Sequence, residues 1–465
     1  RSPTRVGRRG RRVDGGMWFL PLMTASLLGP RATSTRPLAR NSALLRAPRA
    51  ARCASAMSAP SFADLGVREE IRTALAAAGI KAPNRLQQLA IPALAGGANI
   101  IIGAQTGSGK TLAYLVPVMQ ALKDEEDVSQ GAFASRPNRP RALVLVPTRE
   151  LCEQVKGVAK SITHHLKVRS MGMSGGVTLG KQAKLLASPL DVLVATPGRL
   201  LQHAEKGDVV FSMTSAVVID EVDTFFEAGF GEDLRRILGA VRRHREGAPV
   251  QHVAVGATHP AAARRLYSEA FPAMREVSVD LHAVPKTLAQ NFVRVGSEPT
   301  DKCEKLLEVL GPPSASSARA LVFCNSKDSA RFVDHYLQEH RYATSNYHGG
   351  ILPEARARSF SDFKEGRTRV LVCSDLAARG LDGLDVGHVV EFDFARSAVD
   401  YLHRAGRTAR AGARGRITSL VTKRDLPVVE QVRGVAAGGE VESARPRPRG
   451  PRPAGRPAGK RPGEG

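Results

Sequence analysis

The chain has 465 residues, a formal net charge of +24 and 42% hydrophobic residues, which is enough for two or three domains with ordinary cores and excludes a wholly disordered protein. Its five cysteines, Cys53, Cys152, Cys303, Cys324 and Cys373, are odd in number and never spaced as C-x-x-C, so neither a disulfide framework nor a zinc site is indicated. Most of the charge is terminal: residues 1–60 carry +11, residues 443–465 carry +6, and subtracting both from +24 leaves +7 for the 382 residues between, a balance that permits nucleic acid without demanding it.

Residues 1–60 hold twelve Arg, no Lys and a single acid, Asp14, and end in ARCASAMSAP, the composition of an organellar transit peptide. Met17 is a candidate initiator, and a secretory signal is the alternative reading of the segment. The patch MWFLPLMTASLL (17–28), which contains the lone Trp18, is too short and Pro-interrupted to span a bilayer, so no membrane partner is expected. From residue 61, the short apolar runs NIIIG (99–103), ALVLV (142–146), DVLVA (191–195), AVVID (216–220) and HVAVG (252–256) alternate with stretches of helical length, the pattern of a buried parallel sheet covered by helices. KDEEDVSQGAFASRPNRPR (123–141) reads as a surface loop. DLHAVPKTLAQ (280–290) reads as a linker, after which the pattern resumes with ALVFC (320–324), RVLVC (369–373), HVVEF (388–392) and ITSLV (417–421). The expected organisation is a transit or disordered segment over 1–60, α/β domains over 61–283 and 284–432, and a basic disordered tail over 433–465. That tail reads either as a solubilising segment or as a sequence-independent RNA tether.

AQTGSGKT (104–111) follows the first apolar run and precedes a helical stretch, the context a phosphate loop requires. Ala104, Gln105, Thr106 and Ser108 complete a loop in which Gly107 and Gly109 let backbone N–H groups face phosphates, Lys110 neutralises the β and γ charges, and Thr111 offers its hydroxyl to Mg2+. In AVVIDEVDTFF (216–226) an apolar run ends in three carboxylates. Taken alone it is a strand and an acidic turn. Beside a phosphate loop, Asp220 is placed to hold Mg2+ through its water shell, Glu221 to orient and deprotonate an attacking water, and Asp223 to bridge to other parts of the site.

With these two, the motifs PTREL (147–151), Gly175–Gly176, TPGR (196–199), GAT (256–258), SDLAARGLD (374–382) and HRAGRTAR (403–410) stand in an order that resembles the DEAD-box RNA helicases over residues 62–425, most closely the organellar members of plant chloroplast, rRNA-maturation type. The resemblance implies two tandem RecA-like (P-loop) domains with parallel sheets, flanked by disordered basic tails. It also implies ATP and Mg2+ as cofactors and RNA, of ribosomal kind, as partner of a monomer in the chloroplast stroma or, alternatively, the mitochondrion. By the same resemblance, Phe62 and Gln87 would contact adenine, Asp382 the ribose, and Arg407 and Arg410 the γ-phosphate as arginine fingers. RNA would lie on Pro147, Thr148, Arg149, Gly175, Gly176, Thr196, Pro197, Gly198 and Arg199, and on Asn325, Arg356 and Ser374 in the second domain. Groups of these kinds suit phosphate and 2′-OH contacts and read no base sequence. Gly256, Ala257 and Thr258 would couple hydrolysis to strand opening, while His403, through Asp223, and Arg404 would tie the second domain to the first.

Four positions depart from the family pattern: Ile80 follows Gly79 where an aromatic is usual, Val222 replaces Ala, Gly256 replaces a serine whose hydroxyl aids coupling, and Pro353 stands where Gln is frequent. ATP binding is little affected by these; coupling is. The expected function is therefore an ATP-dependent RNA helicase that remodels RNA, with an ATP-gated RNA clamp of weak unwinding as the alternative. His164 and His165 read as surface residues, and Phe225 and Phe226 as core.

Overall fold

The computed structural model describes residues 60–436, apart from 106, 131–134, 272, 280–286, 297, 314–318, 376–385 and 410–412. The expectations for residues 1–59, for the basic tail beyond residue 436, and for Thr106, Asp382 and Arg410 fall outside the described residues, while the disorder expected from residue 433 is corrected for 433–436, which close the helix Leu426–Ala436.

Each apolar run forms a strand, because a Val/Ile/Leu run of four to six residues buries both faces only inside a parallel sheet. In chain order the first part contains β1 (Asn99–Ala104), β2 (Arg136–Pro137), β3 (Ala142–Leu145), β4 (Ser170–Met173), β5 (Pro189–Leu190), β6 (Val192–Ala195), β7 (Ala216–Ile219), β8 (Gln251–Gly256) and β9 (Met274–Val279). The second contains β10 (Leu288–Arg294), β11 (Ala320–Cys324), β12 (Thr344–Tyr347), β13 (Val370–Ser374), β14 (His388–Glu391) and β15 (Gly415–Val421). All but β2 and β5, which pair only with each other, form two wholly parallel sheets, ordered β4-β6-β3-β7-β8-β1-β9 and β10-β15-β14-β11-β13-β12. This is the expected pair of tandem RecA-like α/β units.

Alternate residues divide between the two faces of each sheet. Ile100, Ile102, Val144, Val218 and Val253 pack on one face of the first sheet, while Ile101, Leu143, Leu145, Val217 and Ile219 pack on the other. The second sheet repeats this, with Leu321, Phe323 and Leu371 opposite Val322, Cys324 and Val372. The four described cysteines are free and buried. His164 and His165 are exposed, Phe225 is buried and Phe226 half-buried.

Two sequence expectations are corrected here. The segment 123–141 is not all loop, because the helix Lys110–Val128 runs six residues into it and β2 pairs antiparallel with β5. The charged run DEEDV is a solvated helical end rather than a helix stop. The linker is also shorter than 280–290, since Leu288–Gln290 already belong to β10. Pro353 opens the helix Pro353–Lys364 at its first turn, where a missing backbone N–H costs nothing.

In a parallel sheet every strand delivers its chain to the same edge, so loops that follow neighbouring strands meet. β7, β8 and β1 are consecutive in the first sheet, and they lead directly into Asp220, the GAT loop and the phosphate loop.

Candidate active site

The phosphate loop is held from below by a helix start. Asn84 caps the helix Arg85–Ala95 in a reciprocal box: its Oδ1 accepts from the Gln87 backbone at 3.0 Å, and its own N–H donates to Gln87 Oε1 at 3.0 Å. Their remaining amide hydrogens reach the loop, Asn84 Nδ2 donating to Ser108 O at 2.8 Å and Gln87 Nε2 to Gly109 O at 3.3 Å. Gly107 and Gly109 take positive φ values of 82° and 77°, and a Cβ at Gly109 would lie 2.7 Å from both amide nitrogens. Only glycine fits this cradle. Lys110 donates to Ala104 O at 2.7 Å and Gln105 O at 3.0 Å, lying across the loop mouth, and Thr111 begins the helix whose positive end faces the loop.

Asp220 follows β7 and is buried. Its Oδ1 accepts from the Glu221 backbone at 2.9 Å and its Oδ2 from the Tyr114 hydroxyl at 2.8 Å. Burial, with the Asp220 charge beside it, pushes the Tyr114 phenol well up, so it remains a donor. Glu221 sits in the left-handed region at φ 52°, ψ 51°, an uncommon conformation for a residue with a side chain and one that clusters at functional positions. Thr224 Oγ1 donates to it at 3.4 Å.

Asp223 gathers the loop after β8. Its Oδ2 accepts from Ala257 N at 3.1 Å, Thr258 N at 3.0 Å and Thr258 Oγ1 at 3.3 Å, and lies 3.7 Å from His403 Nε2 of the second sheet's half. His259 then fastens the loop to β1: its ring is within hydrogen-bond reach of Ile102 O (3.2 Å) and the Tyr267 hydroxyl (3.0 Å), and burial lowers its pKa, keeping it neutral.

Thr111 and Asp220 offer a hydroxyl and a carboxylate, hard oxygen donors that fit Mg2+. Among the described residues no cluster of three or more His, Cys, Asp or Glu could hold a metal alone. Such a pair suits a Mg2+ shared with substrate phosphates.

The expected RNA residues divide. Arg149 and Gly176 do meet, for a Cβ on Gly176 (φ 93°) would collide with the Arg149 guanidinium. Gly198 is exposed, and Thr196 and Pro197 start the helix Pro197–Glu205 with the Thr196 hydroxyl uninvolved in capping and Arg199 half-buried behind them. Gly175 faces open space, Pro147 is buried, and the Thr148 hydroxyl caps the helix Arg149–Leu166 by accepting from Leu151 N at 3.2 Å. Ser374 ends β13, half-buried.

Asn325 is corrected. Its Nδ2 donates to Phe394 O at 2.9 Å and its Oδ1 accepts from Arg404 at 2.6 Å, so its amide serves the second half's own scaffold. Arg404 is corrected likewise. It does not reach the first half but lies buried among Asp375 (2.5 and 2.7 Å), Glu391 (2.8 Å), Asp393 O (2.7 Å) and Asn325. Arg356 does cross, as His403 does, pairing with Glu150 at 2.5 Å while its guanidinium covers Tyr347. Gln87 is engaged by the phosphate loop rather than presented to a base, and Phe62 is packed in the first core, so a stacking role would require it to turn outward. Arg407 is buried in the turn after the helix Ala398–Ala405.

Sequence reasoning missed Asn84, Tyr114, His259 and Glu150. The N-x-x-Q capping spacing could have found Asn84. Nothing in the sequence pairs Tyr114 with Asp220, 106 residues away.

Residues 84–266 match the model described as DEAD/DEAH box helicase, and residues 301–412 that of the helicase conserved C-terminal domain. The chain is 43% identical over 381 residues to DEAD-box ATP-dependent RNA helicase 39 of Arabidopsis thaliana, an alignment covering 80% of this chain and 60% of that protein. It is 33% identical over 395 residues to the probable ATP-dependent RNA helicase DDX28 of Mus musculus, covering 80% of this chain and 72% of that one. In fold it resembles S. cerevisiae Dbp5 bound to RNA and ADP BeF3 with a TM-score of 0.70 at 24% identity, over 82% of this chain and 95% of that one. It also resembles the DEAD-box helicase Mss116 bound to ssRNA and UDP-BeF, with a TM-score of 0.69 at 25% identity over 81% and 78%.

Proposed function

The chain belongs to the DEAD-box RNA helicase family, and on that premise we propose that it is an RNA-stimulated ATPase whose halves, 61–283 and 284–432, close on RNA and remodel it locally. The observation that carries this reading is the convergence of the phosphate loop, Asp220–Glu221 and the Asp223-held GAT loop on one sheet edge, with His403 facing Asp223 from the second half and Arg356 pairing with Glu150.

Each side chain then has a task. Lys110 exchanges two neutral loop carbonyls for the β and γ phosphates. Thr111 and Asp220 hold Mg2+, which supplies charge neutralisation at the phosphates. Glu221 orients the attacking water and accepts its proton. Arg407 and Arg410 stabilise the γ-phosphoryl as it departs, and Asp382 holds the ribose. Asp223 reports the event, since its carboxylate binds the GAT loop on one side and faces His403 on the other. The RNA track is Arg149, Gly175–Gly176 and Thr196–Arg199 with Ser374, while Arg356 reaches RNA only if it leaves Glu150. We further infer an organellar ribosomal RNA as the substrate, supported by the arginine-rich, acid-poor composition of residues 1–60 and by the motif resemblance; the chloroplast stroma is favoured over the mitochondrion.

The test is Glu221→Gln. RNA-stimulated ATP turnover is expected to fall about 10²–10⁴-fold while an RNA complex with ATP persists. Turnover near wild type overturns the mechanism. Strand displacement measured beside it separates a remodelling enzyme from a clamp, which would give long-lived complexes and little displacement. RNA crosslinked in cells identifies the substrate.

A further inference from the structure

The acidic turn after β7 offers Asp220 and Glu221 to the cleft. Asp220 is held by a side chain outside the eight motifs quoted above. Tyr114 lies one turn beyond Thr111 on the helix Lys110–Val128, fully buried, and its hydroxyl donates to Asp220 Oδ2 at 2.8 Å. Oδ1 of the same carboxylate accepts from the Glu221 backbone at 2.9 Å. A carboxylate presents about four acceptor directions, and these two donors take one on each oxygen. With both oxygens bonded, the plane of the group is fixed. The two contacts differ in kind, because the amide belongs to the acidic turn itself whereas Tyr114 belongs to the helix that carries Lys110 and Thr111.

We propose that Tyr114 is a positioning residue for the divalent cation, joining the Thr111 helix to Asp220 so that the hydroxyl and the carboxylate are presented to Mg2+ as one preformed pair. This rests on reading the cleft as a nucleotide–Mg2+ site. Tyr114 touches neither substrate nor metal. Its ring packs in the first core, so Tyr114→Phe retains the packing and removes the hydroxyl, with its donation to Asp220 and its contact with the Thr111 side chain. Asp220 then keeps the Glu221 amide but loses the Tyr114 bond to the helix, and the oxygen that Tyr114 held is less firmly turned toward Thr111. Because the link concerns the cation and not the sugar or base, it separates two quantities that a general loss of structure would reduce together: nucleotide affinity with Mg2+ and nucleotide affinity without it.

The experiment titrates MgCl2 into the full chain with fluorescent mant-ADP, alongside a titration in EDTA. Wild type is expected to show a Mg2+-dependent gain in affinity. In Tyr114→Phe the EDTA affinity stays unchanged while the Mg2+ concentration needed for half of the gain rises about ten-fold, the size expected for one lost hydrogen bond to a charged group. An unchanged or lower Mg2+ requirement overturns the proposal. If wild type itself shows no Mg2+-dependent gain, the reading of the cleft fails instead, a result distinct from failure of the Tyr114 link. Should Tyr114→Phe not fold, the comparison moves to Tyr114→4-aminophenylalanine and Tyr114→4-methylphenylalanine, which are similar in size but only one of which donates. A wild-type Mg2+ requirement in the first and a raised one in the second supports the link, and equal requirements overturn it.

Discussion

At the carboxyl edge of the first sheet the acidic side chains are held by neutral donors: the Tyr114 hydroxyl on Asp220, and two backbone amides and the Thr258 hydroxyl on Asp223. At the same edge of the second sheet they are held by charge, with Arg404 gripping Asp375 and Glu391 in the interior. Neutral donors fix a carboxylate without neutralising it, so it can still attract a cation or respond to one. A buried guanidinium cancels the charge and fixes the scaffold. Burial works against the Arg404 charge, but Asp375 and Glu391 outweigh it and keep it protonated, while burial raises the Glu391 carboxyl against the pull of Arg404 and Ser419. The first edge is thus built to react, and the second to present. Arg404 anchors the helix Ala398–Ala405 to the strand ends, and His403, its neighbour on that helix, faces Asp223. Its contribution to coupling the halves is therefore indirect.

The largest effect that would break this contrast is on stability. Arg404→Met leaves Glu391 buried without its partner and Asp375 partly so, which should cost about 3–5 kcal/mol. Urea unfolding should show the second half melting early, with ATP turnover lost as a consequence. A stability within about 1 kcal/mol of wild type would mean that packing, and not charge, holds that edge.

A second difference appears on acidification. His388 on β14 is buried; Arg416 Nη2 donates to its Nδ1 at 3.1 Å, which places its proton on Nε2, facing Thr418 Oγ1 at 2.9 Å. Burial, helped by Arg416 and Arg369, pushes its pKa down to about 3. An unfolded histidine titrates near 6.5. Between these values the unfolded chain binds the extra proton and the folded chain does not, so stability is full above about pH 6.5 and falls by about 1.4 kcal/mol for each pH unit as the pH drops toward 3. His388→Gln removes the titration and should flatten that part of the stability profile. An identical acid profile in both proteins would assign the loss to other groups, with His252 in the first half, lowered to about 4 by burial, next to be tested.

The same contrast explains what could be read from the sequence. The inner strands announced themselves as apolar runs because both of their faces are covered. β4, β9, β10 and β12 did not, and these are the four edge strands of the two sheets. SMGM, MREVSV and TSNY are half-exposed stretches that carry no continuous apolar signal, and β10 was partly taken for linker. In the site, the phosphate loop and the acidic turn were legible because each is local in sequence. Arg404 and Asn325 were misassigned because Arg404 lies 29, 13 and 79 residues from its partners Asp375, Glu391 and Asn325, and a sequence gives the residue without the direction of its side chain. The Tyr114–Asp220 bond escaped for the same reason.

The smallest expected effect tests the reactive edge most finely. Gly256 stands where the family pattern has serine, which suggests that restoring the hydroxyl should tighten coupling. The structure opposes this. A Cβ at Gly256 would lie 2.7 Å from Thr258 O and 3.6 Å from both Asp223 Oδ2 and the His259 ring. The carbonyl cannot recede alone, because the amides of Ala257 and Thr258 are bonded to Asp223 and His259 is fastened to β1. Gly256→Ser should therefore cost about 1–3 kcal/mol through overpacking and lower RNA-stimulated turnover rather than raise strand displacement. Gly256→Ala shares the added Cβ and lacks the hydroxyl, so the two variants should behave alike in thermal melting and displacement. If Gly256→Ser raises displacement several-fold while Gly256→Ala does not, the loop yields to the side chain, the missing hydroxyl limits coupling, and the neutral hydrogen bonds of this edge are more pliable than their geometry implies.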